Sequence, residues 1–168
     1  MGADLSSGQN PPPRIDGAGQ RIGVVCARWN DVITLRLLDG VRRGLAGSNV
    51  SDDDVLVDWV PGSFEVPLGA SIMARSGRVD AVICLGAVIR GETSHYDFVA
   101  GECARGIQDV QLACDIPVAF GVLTTENDGQ ALARSEGPGG HNVGEDCAQV
   151  VLEMIEFARR HAAGGALG

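Results

Sequence analysis

Leu85-Gly86-Ala87-Val88-Ile89-Arg90-Gly91-Glu92-Thr93-Ser94-His95-Tyr96-Asp97 is the stretch on which the reading of this chain turns. An apolar run from Val79 to Leu85, broken only by Asp80, leads into it. Beyond it Phe98, Val99, Cys103, Ile107 and Val110 recur at helical spacing. The stretch therefore reads as a strand, a polar turn, and the start of a helix. Thr93 or Ser94 stands where an N-cap belongs. A helix start carries unpaired N–H groups and the positive end of the helix dipole, a natural seat for a phosphate or another anion. His95 falls in that first turn. It is either a proton-transfer residue beside a bound ligand or a solvated surface histidine. Its place at the carboxyl end of a buried strand, where open α/β sheets bind ligands, raises the first to equal weight with the second.

The same pattern repeats outward. Arg21 to Ala27 reads as a first strand, and Asn30 as the cap of a helix whose stripe is Ile33, Leu37, Leu38, Val41 and Leu45. Trp29, between them, is either a lid on the core or a stacking surface for a planar ring. Val55 to Val60 is a second strand. It is followed by the turn Pro61-Gly62-Ser63-Phe64-Glu65 and a helix through Val66, Leu68, Ala70 and Met73 to Gly77. Pro67 fits the first turn of that helix, where a missing N–H costs little. Ile116 to Leu123 is a fourth strand, and Thr124 to Asp128 caps a short helix ending near Arg134. A glycine-rich loop from Glu136 to Gly144 holds His141. A last helix carries a stripe at Cys147, Val150, Val151, Met154, Ile155 and Ala158. Strands alternating with helices predict a parallel sheet covered on both faces.

Composition narrows the chemistry. The chain has 168 residues, enough for one domain, and a net charge of −9, which opposes nucleic-acid binding. All 13 basic residues are Arg, so neither a phosphate-loop lysine nor a Schiff-base lysine exists. The five cysteines lack metal-ligand spacing and read as reduced core thiols. The three His residues are scattered, so no metal site is expected. No G-x-G-x-x-G follows the first strand and no G-x-S-x-G occurs, which argues against dinucleotide binding and a serine nucleophile. No apolar run approaches the ~20 residues of a membrane span, and the N-terminus shows no signal pattern, so a cytoplasmic protein is expected.

At these residues the chain resembles the lumazine synthase (6,7-dimethyl-8-ribityllumazine synthase) family. The matching segments are Arg28-Trp29-Asn30-Asp31, Trp59 to Pro67, Leu85 to Asp97, Phe120 to Asn127 and Ala131 to Arg134, in the family's order and spacing. The resemblance implies a transferase of riboflavin biosynthesis. Such an enzyme condenses 5-amino-6-(D-ribitylamino)uracil with 3,4-dihydroxy-2-butanone 4-phosphate and releases phosphate and water, using no cofactor or metal. It implies that Trp29 stacks on the pyrimidine and that Ser63, Phe64 and Glu65 hold the ribityl chain and ring edge. Ala87, Val88 and Ile89 would line the uracil side. Glu92, Thr93 and Arg134 would hold the phosphate, and His95 would shuttle protons. Phe120 would close the pocket from a neighbouring subunit of a homopentamer. One departure stands out: Val143 occupies the position of a family lysine, and His141 is expected to supply part of the missing charge at the phosphate. The alternative is a non-catalytic paralogue that binds riboflavin or lumazine on Trp29.

The expected architecture is therefore an α/β three-layer sandwich, a four-stranded parallel sheet in flavodoxin-like order with helices on both faces. A flexible arm (1–20) should precede the single domain (21–162), and a disordered tail (163–168) should follow.

Overall fold

A computed structural model describes residues 7–162; the expected tail and the first six residues of the expected arm lie outside the described residues. Strands β1 (Ile22–Ala27), β2 (Val55–Val60), β3 (Ala81–Ile89) and β4 (Val118–Thr125) form one parallel sheet in the order β2-β1-β3-β4. Its helices are α1 (Asp31–Gly47), α2 (Val66–Arg75), α3 (His95–Cys114), α4 (Asp128–Leu132) and α5 (Val143–Ala162). The three-layer α/β sandwich with flavodoxin-like strand order follows the alternation of the sequence.

The two central strands explain the sheet's stability. Every residue of β1 is buried, and so is all of β3 except its last residue. Their side chains alternate between two apolar clusters. Ile22, Val24, Ile83 and Leu85 join Leu37, Val41, Val151 and Leu152 under α1 and α5. Val25, Val82 and Cys84 join Val66, Ala70, Cys103 and Ile107 under α2 and α3. Truncating Leu85, fully buried in the first cluster, should cost about 2–5 kcal/mol of unfolding free energy in a urea titration.

Helices α1 and α5 meet closely because their contact is built from small residues. A Cβ on Gly144 would lie 2.0 Å from the Leu37 carbonyl oxygen, and one on Gly44 would lie 2.8 Å from the Ala148 Cβ. Buried Asn142 ties the preceding loop to this seam. Its amide donates to the Arg36 and Glu136 carbonyls, and its Oδ1 accepts from the Gly144 N–H at 2.8 Å.

Several local expectations are corrected. Strand β3 itself, for which no end was expected, runs to Ile89, where Gly86 to Ile89 pair with Val122 to Thr125 of β4. The third helix, by contrast, begins at His95 after Ser94, where it was expected. Helix α2 stops at Arg75, where the Ser76 hydroxyl donates to the Met73 carbonyl at 2.6 Å. Helix α5 already begins at Val143. Its buried face is Cys147, Ala148, Val151 and Leu152, while Val150 and Met154 stay largely exposed; the face is turned slightly from the expected stripe. Asn30 does not cap α1 with its side chain. Four cysteines are buried, and Cys114 is half-buried.

The N-terminal segment before β1 is partly docked. The Gly17 N–H donates to the Ser48 carbonyl at 2.7 Å, the Gln149 amide donates to the Pro13 carbonyl, and Ile15 packs on the core.

Candidate active site

The loops at the carboxyl ends of β1, β2 and β3 enclose a cavity of about 510 Å³. Each loop is fixed by its neighbours. The Arg28 and Trp29 N–H groups donate to the Val60 and Pro61 carbonyls at the end of β2. Asn30 adopts a left-handed backbone (φ 62°), and its amide donates to the Ala87 carbonyl of β3 at 2.8 Å. The expected helix cap is thus a strut between two strand ends.

This frame holds Trp29 in the open, 65% exposed, so it is not a lid on the core. Its ring lies against Gly62, where an added Cβ would come within 2.4 Å of Trp29 Cε3 and 3.2 Å of Glu65 Oε2. Ser63 is buried beneath the loop, and its Oγ would lie 2.9 Å from a Cβ on Gly86. Two glycines in successive segments therefore let the Trp29 ring and the Ser63 hydroxyl approach the backbone. Glu65 Oε2 is shielded from solvent and has no hydrogen-bond partner among the described residues. A buried acceptor without a donor is costly, so this oxygen is suited to receive a donor from a ligand.

On the far side, Ala87, Val88 and Ile89 form the floor, and Thr93, His95 and Tyr96 line the wall at the start of α3. The Thr93 Oγ1 accepts from the His95 N–H at 3.3 Å. Ser94 is the boundary residue of α3 but makes no side-chain cap. The N–H groups of Glu92, Thr93 and Ser94 donate to no partner among the described residues. Those N–H groups and the positive end of the helix dipole face the same corner of the cavity. The exposed His95 can take and return a proton.

Of the expected site residues, Trp29, Ser63, Phe64, Glu65, Ala87, Val88, Ile89, Thr93 and His95 all line this cavity. Glu92 is exposed on the same loop, between the lining residues Gly91 and Thr93. Phe120, Arg134 and His141 do not line it within the chain. Phe120 sits mid-strand on β4, 43% exposed. Arg134 follows α4 and donates to the Gln130 carbonyl at 2.9 Å. His141 Nε2 is 3.3 Å from Asp146 Oδ2. Asn30, Tyr96, Phe98 and Val99 line the cavity although no role was expected of them. Asn30 already stood in a quoted motif, and Phe98 was read only as part of a helical stripe, although it is 68% exposed.

Burial pushes the thiols of Cys26, Cys103 and Cys147 up to about 12, and that of Cys84 well above its ordinary value. They stay protonated and are not nucleophiles. No group of three or more metal-ligating side chains occurs among the described residues. Nor is any described helix long and apolar enough to cross a membrane.

The fold and cavity define a class: an open parallel α/β protein with a cavity outside the strand carboxyl ends, an exposed aromatic ring at one side and the N–H groups of a helix start at the other. Comparison with known families makes this specific. The family model described as 6,7-dimethyl-8-ribityllumazine synthase matches residues 19–159, and the chain belongs to that family.

Proposed function

We propose that the protein condenses 5-amino-6-(D-ribitylamino)uracil with 3,4-dihydroxy-2-butanone 4-phosphate, giving 6,7-dimethyl-8-ribityllumazine, phosphate and water. The observation that carries this reading is one cavity that joins an exposed Trp29, a buried Glu65 oxygen with no partner among the described residues, and the helix start bearing His95. The pyrimidine stacks on Trp29 above the Ala87 to Ile89 floor, and Glu65 accepts hydrogen bonds from ring edge or ribityl hydroxyls. Ser63 and Phe64 complete that side. The phosphate sits at the N–H groups of Glu92 and Thr93.

Amine and ketone react readily once aligned, so positioning supplies most of the rate. The amine attacks the ketone and the carbinolamine loses water to an imine between the two substrates. Phosphate then leaves by elimination, and the ring closes with loss of water. His95 moves protons in these steps. No lysine is required, since the imine joins the substrates rather than the protein.

Phe120, Arg134 and His141 complete the site across a subunit boundary of a homopentamer, Phe120 closing the pocket and the other two gripping the phosphate. Two features support this. None of the three reaches the cavity of its own chain, and apolar Leu68, Ile72, Leu112 and Phe157 are exposed. His141 partly replaces the charge absent at Val143. The chain works in the cytoplasm, where its phosphorylated substrate is held.

Mixing the purified protein with both substrates tests the reading. Lumazine absorbance should rise well above the spontaneous rate. Background turnover with riboflavin still quenching Trp fluorescence would replace the enzyme by a flavin-binding paralogue. Sedimentation should give a pentamer; a particle near a megadalton would refute that assembly.

A further inference from the structure

Arg90 belongs to the loop between β3 and α3, and no role has yet been attached to it. Its backbone N–H donates to the Thr125 carbonyl at the end of β4, at 2.9 Å. Its Nε lies 2.9 Å from Glu126 Oε2, and its Nη2 lies 3.0 Å from Asp97 Oδ1. The guanidinium carbon stands 4.0 Å from the centroid of the Tyr96 ring. One planar fork thus joins the end of β3, the end of β4 and the first turn of α3. A single exposed ion pair contributes little, but carboxylates from two elements and an aromatic face meeting on one guanidinium fix a geometry. The residues so held flank His95, and Tyr96 lines the cavity.

Charge gives the clasp a second effect. Asp97 is an acid in the first turn of α3, only two residues beyond His95. An acid there suits the helix dipole but repels any other anion seeking the same helix end. Glu126 and the exposed Glu92 lie close by in the clasp or the chain, and among the described residues Asp97 and Glu126 pair with Arg90 and with no other Arg. Arg90 neutralises and turns aside the carboxylates that would otherwise oppose phosphate.

We infer that Arg90 is a positioning residue for the proposed condensation. It sets the first turn of α3, and with it His95 and Tyr96, and it masks Asp97 and Glu126 from the phosphate. The inference rests on the proposed phosphate seat at the start of α3.

Arg90→Gln, Arg90→Lys and the double variant Arg90→Gln/Asp97→Asn test it. Each is assayed for the KM of both substrates and for kcat, and for binding of inorganic phosphate followed by phosphorus NMR. Arg90→Gln should raise the KM of the butanone phosphate, and weaken inorganic phosphate, by about tenfold. The KM of the pyrimidine should move less than about twofold. Arg90→Lys keeps the charge but not the fork, so phosphate affinity should stay near that of the parent while kcat falls. The double variant cannot restore any ion pair at Asp97, yet it should regain most of the lost phosphate affinity. A double variant no better than Arg90→Gln would overturn the masking, and an unchanged phosphate KM in Arg90→Gln would overturn the whole inference. If the parent protein binds phosphate with this pattern but makes no lumazine, the proposed reaction fails and only the masking of Asp97 and Glu126 by Arg90 stands. Turnover in the parent with an indifferent Arg90→Gln gives the reverse.

Discussion

The two ends of the sheet are built on opposite terms. At the amino ends of the strands the chain satisfies itself. Arg21 reaches Asp80 with two side-chain nitrogens and its own N–H, and the Gly77 carbonyl with a third side-chain nitrogen. The Asp80 N–H returns a hydrogen bond to the Arg21 carbonyl at 2.7 Å. At the carboxyl ends the polypeptide is as firmly held but leaves groups over. Trp29, Phe64 and Phe98 stand exposed, and among the described residues neither the shielded Glu65 oxygen nor the N–H groups of Glu92, Thr93 and Ser94 find a partner. Rigidity is common to both ends; incompleteness belongs to one. A site is the place where the frame is ordered and the valences are not filled.

The largest effect that would break this contrast comes from His95. Replacing it by Ala at the open end should lower turnover by about a hundredfold, toward the spontaneous rate, while the melting temperature stays unchanged because the side chain is exposed. A parallel loss of stability would mean that His95 holds the fold and is no spare group. A smaller effect sharpens the same contrast. In Gly62→Ala the new methyl would sit 2.4 Å from Trp29 Cε3, so the ring must shift. The pyrimidine KM should rise by about tenfold, with little change in the KM of the butanone phosphate or in thermal stability. Equal rises in both constants would show that Trp29 does not belong to the pyrimidine side alone.

How much of this the sequence discloses follows from the range of the forces involved. Burial is nearly periodic, so the stripe Ile33, Leu37, Leu38, Val41 and Leu45 is found where expected, and the order of elements with it. Long-range pairing is not legible: Gly86 to Ile89 take up Val122 to Thr125 of β4, dozens of residues away in sequence. Asn30 fails as a cap for the same reason. Its residue type suits a cap, but a distant carbonyl at Ala87 takes its amide. The α5 stripe misleads because Val150 and Met154 are apolar without being buried in the chain. Most cavity residues lie in quoted motifs, but Phe98 and Val99 lie beyond them, and Phe120, Arg134 and His141 lie outside the cavity of their own chain. No periodicity could reveal that separation. The clasp at Arg90 is likewise invisible, since its partners Asp97 and Glu126 are set together only by the fold.

The smallest effect is expected at the closed end, and its smallness carries the argument. The hydrogen bond from the Arg21 guanidinium holds the Asp80 carboxyl below its ordinary range, against the opposing effect of partial burial. A carboxylate lowered in the folded state stabilises the protein at pH values above its unfolded pKa, about 3.9, and that contribution is lost as pH falls through the folded value. Asp80→Asn cannot take up that proton. Its deficit against the parent should therefore be present at pH 7, no more than about a few degrees in melting temperature for so exposed a pair, and should shrink toward pH 3. Turnover and both Michaelis constants should match the parent at neutral pH. Thermal melts at the two pH values, beside the lumazine assay, check this. A change in catalysis would mean that the self-satisfied end of the sheet is coupled to the open one, and that the strands transmit what the two sets of loops are here held to keep apart.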